Sequence, residues 1–259
     1  MTEHEKEQPP AWWIVDRRAR REAEHEVKRQ ERAARREARR GARHGEPARE
    51  PMTPVRIADA ALAIIDSGGL DGLTVRSLAQ ALGVGTMTLY WYVRDKDEVL
   101  DLVADRLLAG VTPPTAAGDW QAAIREIASS VRAALLRHPG AAPIVATRGS
   151  YGPNGLQVIE ASIAVLRAAG FSTEAAADAC SAVSNYITGF CVFEMTNAAG
   201  SGGGTPSASR ASQYVALLPP DRFPNLVAAA PRLFGASRDD RFAFGLECLI
   251  DGFAARLGA

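Results

Sequence analysis

The stretch TMTLYWYVRDK, residues 86–96, gathers the side chains best suited to contact another molecule. It holds Thr86, Met87, Thr88, Tyr90, Trp91, Tyr92 and Lys96. Hydroxyls can donate to phosphate oxygens, while Met and Trp can rest on thymine methyl groups and sugars. On a helix at about 100° per residue, Leu89 and Val93 share one face. Met87 and Trp91 then point the opposite way, with Thr88, Tyr90 and Tyr92 on the flanks. Two readings fit the aromatics: a face that enters a nucleic-acid groove, or core packing in a helical bundle. Three consecutive aromatics cannot share one face, which favours the groove. Of the three lysines in the chain, only Lys96 lies beyond residue 50. It opens the next helix, where backbone N–H groups also favour an anion. Arg76 reads either as a second phosphate contact or as an ordinary surface charge.

These side chains need short, well-braced elements. In TVRSLAQALGV, residues 74–84, Val75, Leu78, Ala79 and Leu82 form one helical face and Thr74 stands at the N-cap position. Gly83, four residues after Ala79, can take the positive φ of a tight turn, and Val84 fills the angle beyond it. Two short helices about such a turn suit a helix-turn-helix, with the third helix expected over Thr86–Val93. Upstream, Ile57, Ala60, Ala61, Ile64 and Ile65 recur at helical spacing over Pro54–Ser67, and Gly68-Gly69 stops them. Downstream, Asp95 and Glu98 have capping-box spacing, and Val99, Leu102, Val103 and Leu107 make the next buried stripe. Longer helices are expected over 120–137, 153–169, 173–198, 222–234 and 239–257, with a small one near 141–147. No segment alternates with period two, so the fold class is all-α. GSGGGTP at 200–206 reads as a loop.

The 259 residues carry 30 basic and 30 acidic side chains, which excludes a uniformly basic nucleic-acid binder. The zero conceals an asymmetry. Residues 17–43 hold 12 Lys/Arg against 5 Asp/Glu, whereas residues 51–259 hold 16 against 19. Residues 1–52 therefore form a separate basic extension with no stripe of large apolar residues. It reads either as a solvated, flexible tail or as an arm that tracks DNA phosphates. Trp12-Trp13 offers it an anchor. Cysteines at 180, 191 and 248 form no disulfide framework and no C-x-x-C spacing. No apolar run reaches about 18 residues, and the N-terminus is charged where a signal peptide needs an apolar stretch. The expected address is the cytoplasm, with no membrane partner. There is no G-x-S-x-G, H-E-x-x-H, Walker A or dinucleotide fingerprint, so no enzyme, cofactor or metal site is expected. Asp95, Asp97, Asp239 and Asp240 read as helix N-terminal charges.

LAQALGV, then TLYWYV followed by Lys96, resembles the DNA-binding domain of the TetR (tetracycline repressor) family of transcription regulators. DWQAAIREIASSVRAALLRHPGA, LRAAGFSTEAA and SAVSNYITGFCVFE resemble the ligand-binding domain of the tetracycline-repressor branch. The resemblance covers about residues 53–199 well and 210–257 loosely. It implies a helix-turn-helix DNA-binding domain over 53–98 and a helical effector-binding and dimerisation domain over 99–259. It also implies a homodimeric repressor on palindromic double-stranded operator DNA, released by a small-molecule effector. By position, Thr86, Met87, Thr88, Tyr90, Trp91 and Tyr92 would meet the major groove and flanking phosphates, with Lys96 on the backbone. Helices 173–198 and 239–257 would form the dimer interface. Phe242, Leu246, Leu249, Ile250 and Phe253 fit that role or ordinary burial within one protomer.

A tetracycline repressor holds a magnesium-chelated drug through a His in the segment after HPGA. Here that segment is APIVATRG, and the equivalent residue is Ile144 or Val145. His138 reads as a capping or surface residue. The expected effector is therefore an apolar or aromatic small molecule rather than a magnesium-chelated tetracycline. Its candidate contacts are Thr147, Arg148, Asn185, Tyr186, Phe190 and Glu194. Asn185 and Glu194 are nine positions apart on one helix and diverge by about 180°. A different class of reading remains: a helical adaptor with a vestigial helix-turn-helix, whose basic tail binds RNA or a protein partner. The exposed Tyr/Trp face and Lys96 speak against it.

Overall fold

The computed structural model describes residues 51–112, 114, 118–149, 151–198, 213–215 and 217–257. The basic stretch 17–43, Trp12-Trp13 and the loop at 200–206 lie outside them. Among the described residues all regular structure is helical. None of these helices is long and apolar enough to cross a membrane.

Helix α1 spans Pro54–Gly72. Thr53 caps it by accepting a hydrogen bond from the Arg56 N–H, and Pro54 fits the first helical position because no donor is needed there. Ile57, Ala58, Ala61, Leu62 and Ile65 are buried; of the expected stripe, Ala60 and Ile64 are only half-buried, because the inward face is turned toward Ala58 and Leu62. The backbone kinks at Gly69, close to the expected stop. Helix α2, Val75–Leu82, opens with a capping box in which the Thr74 and Ser77 side chains serve each other's backbone N–H groups. It ends at Gly83, whose φ of 68° is the left-handed conformation the turn requires. Leu78, Ala79 and Leu82 face inward.

Helix α3 is shorter than expected. It is α-helical only over Thr86–Leu89. Trp91 and Tyr92 then donate three residues back, to the carbonyls of Thr88 and Leu89, so the chain tightens into turns before Val93. Helix α4 covers Lys96–Leu107. Asp95 caps it by accepting from the Glu98 N–H at 2.9 Å. The expected reciprocal bond is displaced by one residue: the Glu98 carboxylate accepts from the Arg94 N–H at 2.7 Å.

The remaining helices are α5 (Trp120–Leu136), α6 (Ala142–Thr147), α7 (Pro153–Ala168), α8 (Thr173–Ala198), α9 (Pro224–Gly235) and α10 (Arg238–Leu257). A 3₁₀ turn, Pro139–Ala141, joins α5 to α6. Helix α8 is the spine, and α5, α6, α7 and α10 all pack on it. Its buried residues Ala176, Ala179, Val183, Ile187, Cys191 and Met195 recur every three or four positions. Burying each of the larger ones contributes about 1.5–3 kcal/mol. From α10, Phe242, Leu246 and Ile250 join this core, so these three serve burial within the protomer. Phe244 and Cys248 face outward.

The described residues from Thr53 onward form one compact unit. The boundary expected after residue 98 falls inside α4, which packs on α1 on one side and on α6 and α7 on the other.

Candidate nucleic-acid interface

The sorting of α3 by helical angle holds in three dimensions. Leu89 and Val93 are 1% and 4% exposed, while Met87 and Trp91 are 75% and 74% exposed. Leu89 and Val93 lie beside Leu78 of α2 and Val99 of α4 in a common interior. Thr86, Thr88 and Tyr90 are exposed and Tyr92 is half-buried. Exposing a Met and a Trp on so short a segment costs favourable burial, which suits a surface awaiting a partner. Arg76 is also exposed, in the first turn of α2.

Lys96 is exposed, with its Nζ 3.5 Å from the Leu70 carbonyl oxygen at the end of α1. One of the N–H groups that were expected to help it attract an anion is already engaged. Asp95 occupies the Glu98 N–H, and Asp97 and Glu98 add negative charge to the first turn. The positive character there resides in the lysine side chain. Arg94 stands beside it, its side chain 85% exposed and paired only loosely with Glu98 at 3.3 Å. Sequence reasoning passed over Arg94, although its place two residues after the aromatic run was a signal.

Behind this surface, α4 is bonded to three other helices. Arg106 pairs with Asp59 of α1, its Nε 2.5 Å from Oδ1. Arg148, just after α6, pairs with Asp97 and Asp101. Asp105 accepts from the backbone N–H groups of Asn154 and Gly155 at the start of α7. The 3₁₀ turn after α5 also presses on α1, where a Cβ on Gly140 would lie 2.7 Å from the Ile65 carbonyl oxygen. His138 stands at the N-cap position of this turn, partly exposed, but its side chain makes no capping bond. Its Nδ1 lies 2.8 Å from Asp66 Oδ2, bridging this turn to α1. An open cleft of about 440 Å³ runs beside these contacts, lined by Asp59, Leu62, Asp66, Arg106, Arg137 and His138 among others.

The six candidate effector residues divide. Tyr186, Phe190 and Glu194 come together between α5, α8 and α10. The Tyr186 ring stacks on Phe242 with centroids 5.5 Å apart, and its hydroxyl donates to the Phe242 carbonyl oxygen at 2.8 Å. Burial raises the pKa of that phenol. Phe190 meets Phe242 edge-on. Arg132 of α5 lies 4.8 Å from the centre of the Phe242 ring and forms a two-pronged pair with Glu194. Thr147 and Arg148 sit elsewhere: the Thr147 hydroxyl donates to the Pro143 carbonyl, and Arg148 turns toward α4. Asn185 is exposed while Glu194 is buried, the divergence their spacing requires.

The two residues expected where the resemblance implies a metal-binding His are both apolar. Ile144 is buried and Val145 half-buried, and neither offers a donor to a cation. Among the described residues no three His, Cys, Asp or Glu side chains gather as a metal set.

Comparison with known proteins agrees with this geometry. Residues 57–103 match the profile described as bacterial regulatory proteins, tetR family, and residues 112–257 match the tetracyclin repressor-like C-terminal domain. An HTH-type transcriptional repressor of Mycobacterium tuberculosis is 33% identical over 213 residues, covering 78% of this chain and 80% of that protein. A class D tetracycline repressor protein of Escherichia coli is 34% identical over 210 residues, covering 78% and 89%. Among solved structures, ActR of Streptomyces coelicolor in complex with actinorhodin superimposes with a TM-score of 0.73. It is 36% identical and covers 81% of this chain and 100% of that one.

Proposed function

The chain belongs to the TetR family of bacterial transcription regulators, and from that premise we propose that it is a ligand-released repressor acting as a homodimer on a palindromic operator. The observation that carries this reading is the divided segment 86–93: Leu89 and Val93 buried, Met87, Tyr90 and Trp91 offered outward. In it, Thr86, Met87, Thr88, Tyr90, Trp91 and Tyr92 enter the major groove and meet its flanking phosphates. Lys96 and Arg76 contact the backbone. Two protomers place their α3 helices in successive grooves, about one helical turn apart. The outward faces of α8 and α10, with Phe193, Phe244 and Cys248 exposed, form the dimer contact. Residues 53–98 act as the reader and residues 99–259 as the effector and dimerisation domain, with α4 shared between them.

The effector is a small apolar or aromatic molecule, consistent with the actinorhodin held by the similar ActR and with the apolar Ile144 and Val145. It binds the DNA-incompetent state more tightly and displaces α4, which changes the spacing of the two readers. Operator DNA then weakens effector binding by the same factor. Thr147, Arg148, Asn185, Tyr186, Phe190 and Glu194 are the proposed effector region. Action in the cytoplasm fits a DNA partner. The basic extension supplies positive charge that the mildly acidic remainder lacks, and it acts as an arm along flanking phosphates.

Selection of bound duplexes from a random pool tests the reading. An enriched sequence with two inverted half-sites, centred about one helical turn apart, is expected. Enrichment of no duplex, or of single half-sites only, would overturn it.

A further inference from the structure

Helix α7 begins without a cap of its own. Its N-cap residue, Gly152, has no side chain, and Pro153 at the first helical position has no N–H. The first donors that need a partner belong to Asn154 and Gly155. Both are taken by a residue of another helix. Asp105 Oδ1 accepts from each N–H at 3.0 Å, and Oδ2 accepts from Asn154 Nδ2 at 2.7 Å.

On its own helix Asp105 is misplaced. A carboxylate in the last turn of α4 faces the negative end of that helix dipole. It is also only 8% exposed, and a buried charge is costly unless hydrogen bonds satisfy it. The start of α7 supplies those bonds and the positive end of a second dipole. The space is shaped for this: a Cβ on Gly152 would overlap the Asp105 carboxyl group. For α7 alone, Gly at this position is a weaker cap than Ser or Asp. For the pair of helices it is the opening through which Asp105 enters.

We propose that Asp105 is a positioning residue that fastens the DNA reader to the effector domain by capping α7 from α4. The proposal rests on the ligand-responsive reading above. The other end of α4 is held differently. Its ion pairs with Arg148 use Asp97 and Asp101, whose side chains are 75% and 64% exposed, a class of pair that contributes little. The grip on α4 is therefore unequal, firm at Asp105 and soft at Arg148. Any displacement of the α7 N-terminus reaches α4 through the Asp105 carboxylate.

Hydrogen–deuterium exchange on the free, full-length chain tests this, with operator titration as a second readout. Asp105→Asn keeps the side-chain shape and nearly the same helix propensity while removing the charge. Asp105→Gly combined with Gly152→Asp moves the carboxylate onto α7's own N-cap position, where φ −80° and ψ −178° suit a capping residue. In Asp105→Asn, exchange is expected to rise about tenfold both at the start of α7 and in α1 and α4. The double variant is expected to recover protection in α7 but not in α1 and α4, and to bind operator about tenfold more weakly. Wild-type protection of α1 and α4 in either variant overturns the proposal, because the cap then serves α7 alone. A wild-type chain that binds no operator overturns the ligand-responsive reading instead, and the exchange result still decides the role of Asp105.

Discussion

Arg132 on α5 holds both carboxylate oxygens of Glu194 on α8, at 2.9 and 3.0 Å, with side chains only 13% and 10% exposed. The same guanidinium reaches Asp239 of α10 at 2.7 Å. The relationship is lopsided. Arg132 has two anionic partners, whereas among the described residues the Glu194 carboxylate has only Arg132. Hydrogen bonding to Glu194 raises the guanidinium pKa above its ordinary value, so this cation persists at any working pH.

Removing either partner should therefore cost different amounts. Arg132→Ala strands a buried carboxylate and is expected to destabilise the chain by about 3 kcal/mol. Glu194→Ala leaves Arg132 paired with Asp239 and should cost about 1–2 kcal/mol. Urea unfolding of both variants at fixed protein concentration gives the order, and equal or reversed losses contradict the lopsided pairing.

Gly140 lets the segment after α5 approach α1 closely. Its missing Cβ would stand 2.7 Å from the Ile65 carbonyl oxygen, a backbone atom that cannot turn aside. Gly140→Ala is expected to cost about 1–3 kcal/mol. Gly68→Ala, in helix α1 with open space around it, should be neutral or slightly stabilising. Thermal unfolding of the two variants separates steric conflict from a general intolerance of alanine.

The inward set of α3 was legible because period 3.6 applies to any helix packed on one side, and Leu89 and Val93 obey it. The early end of α3 was not, since tightening at Trp91 and Tyr92 depends on where α4 must begin. Local capping at Thr74 and Asp95 could be read, or nearly read, because cap and donor are three residues apart. The Asp105 cap could not, because its donors lie 49 and 50 residues away. For the same reason His138 was read without Asp66, which is 72 residues distant. Tyr186, Phe190 and Glu194 were named by resemblance, and helical angle alone foretold that Asn185 would part from Glu194. What no pattern announced was that Arg132 and Phe242 gather the other three.

The three cysteines differ enough to report on assembly. Burial pushes the Cys191 thiol up to about 12, so it stays protonated at pH 8 and should resist alkylation until the chain unfolds. Burial also raises Cys180. Cys248 is exposed on the outward face of α10 and should react first in a lone protomer. In the proposed dimer that face is covered. Alkylation of Cys248 is expected to slow as protein concentration rises through the dimer dissociation constant, and a constant rate across that range would place the interface elsewhere.

Deleting residues 1–50 bears on the basic extension. If it follows phosphates, the plot of log affinity against log salt should flatten by about 0.9 for each phosphate that the extension neutralises. An unchanged slope would return the segment to a solvated tail.

The central claim is that α3 and Lys96 read DNA. The most direct measurement is a fluorescence-anisotropy titration of the selected operator with the wild-type chain, Lys96→Ala and Tyr90→Ala, repeated at several salt concentrations. Both variants are predicted to bind about tenfold or more weakly, with a salt slope lowered by about one for Lys96→Ala and little changed for Tyr90→Ala. Wild-type affinity and slope in both variants would contradict the account.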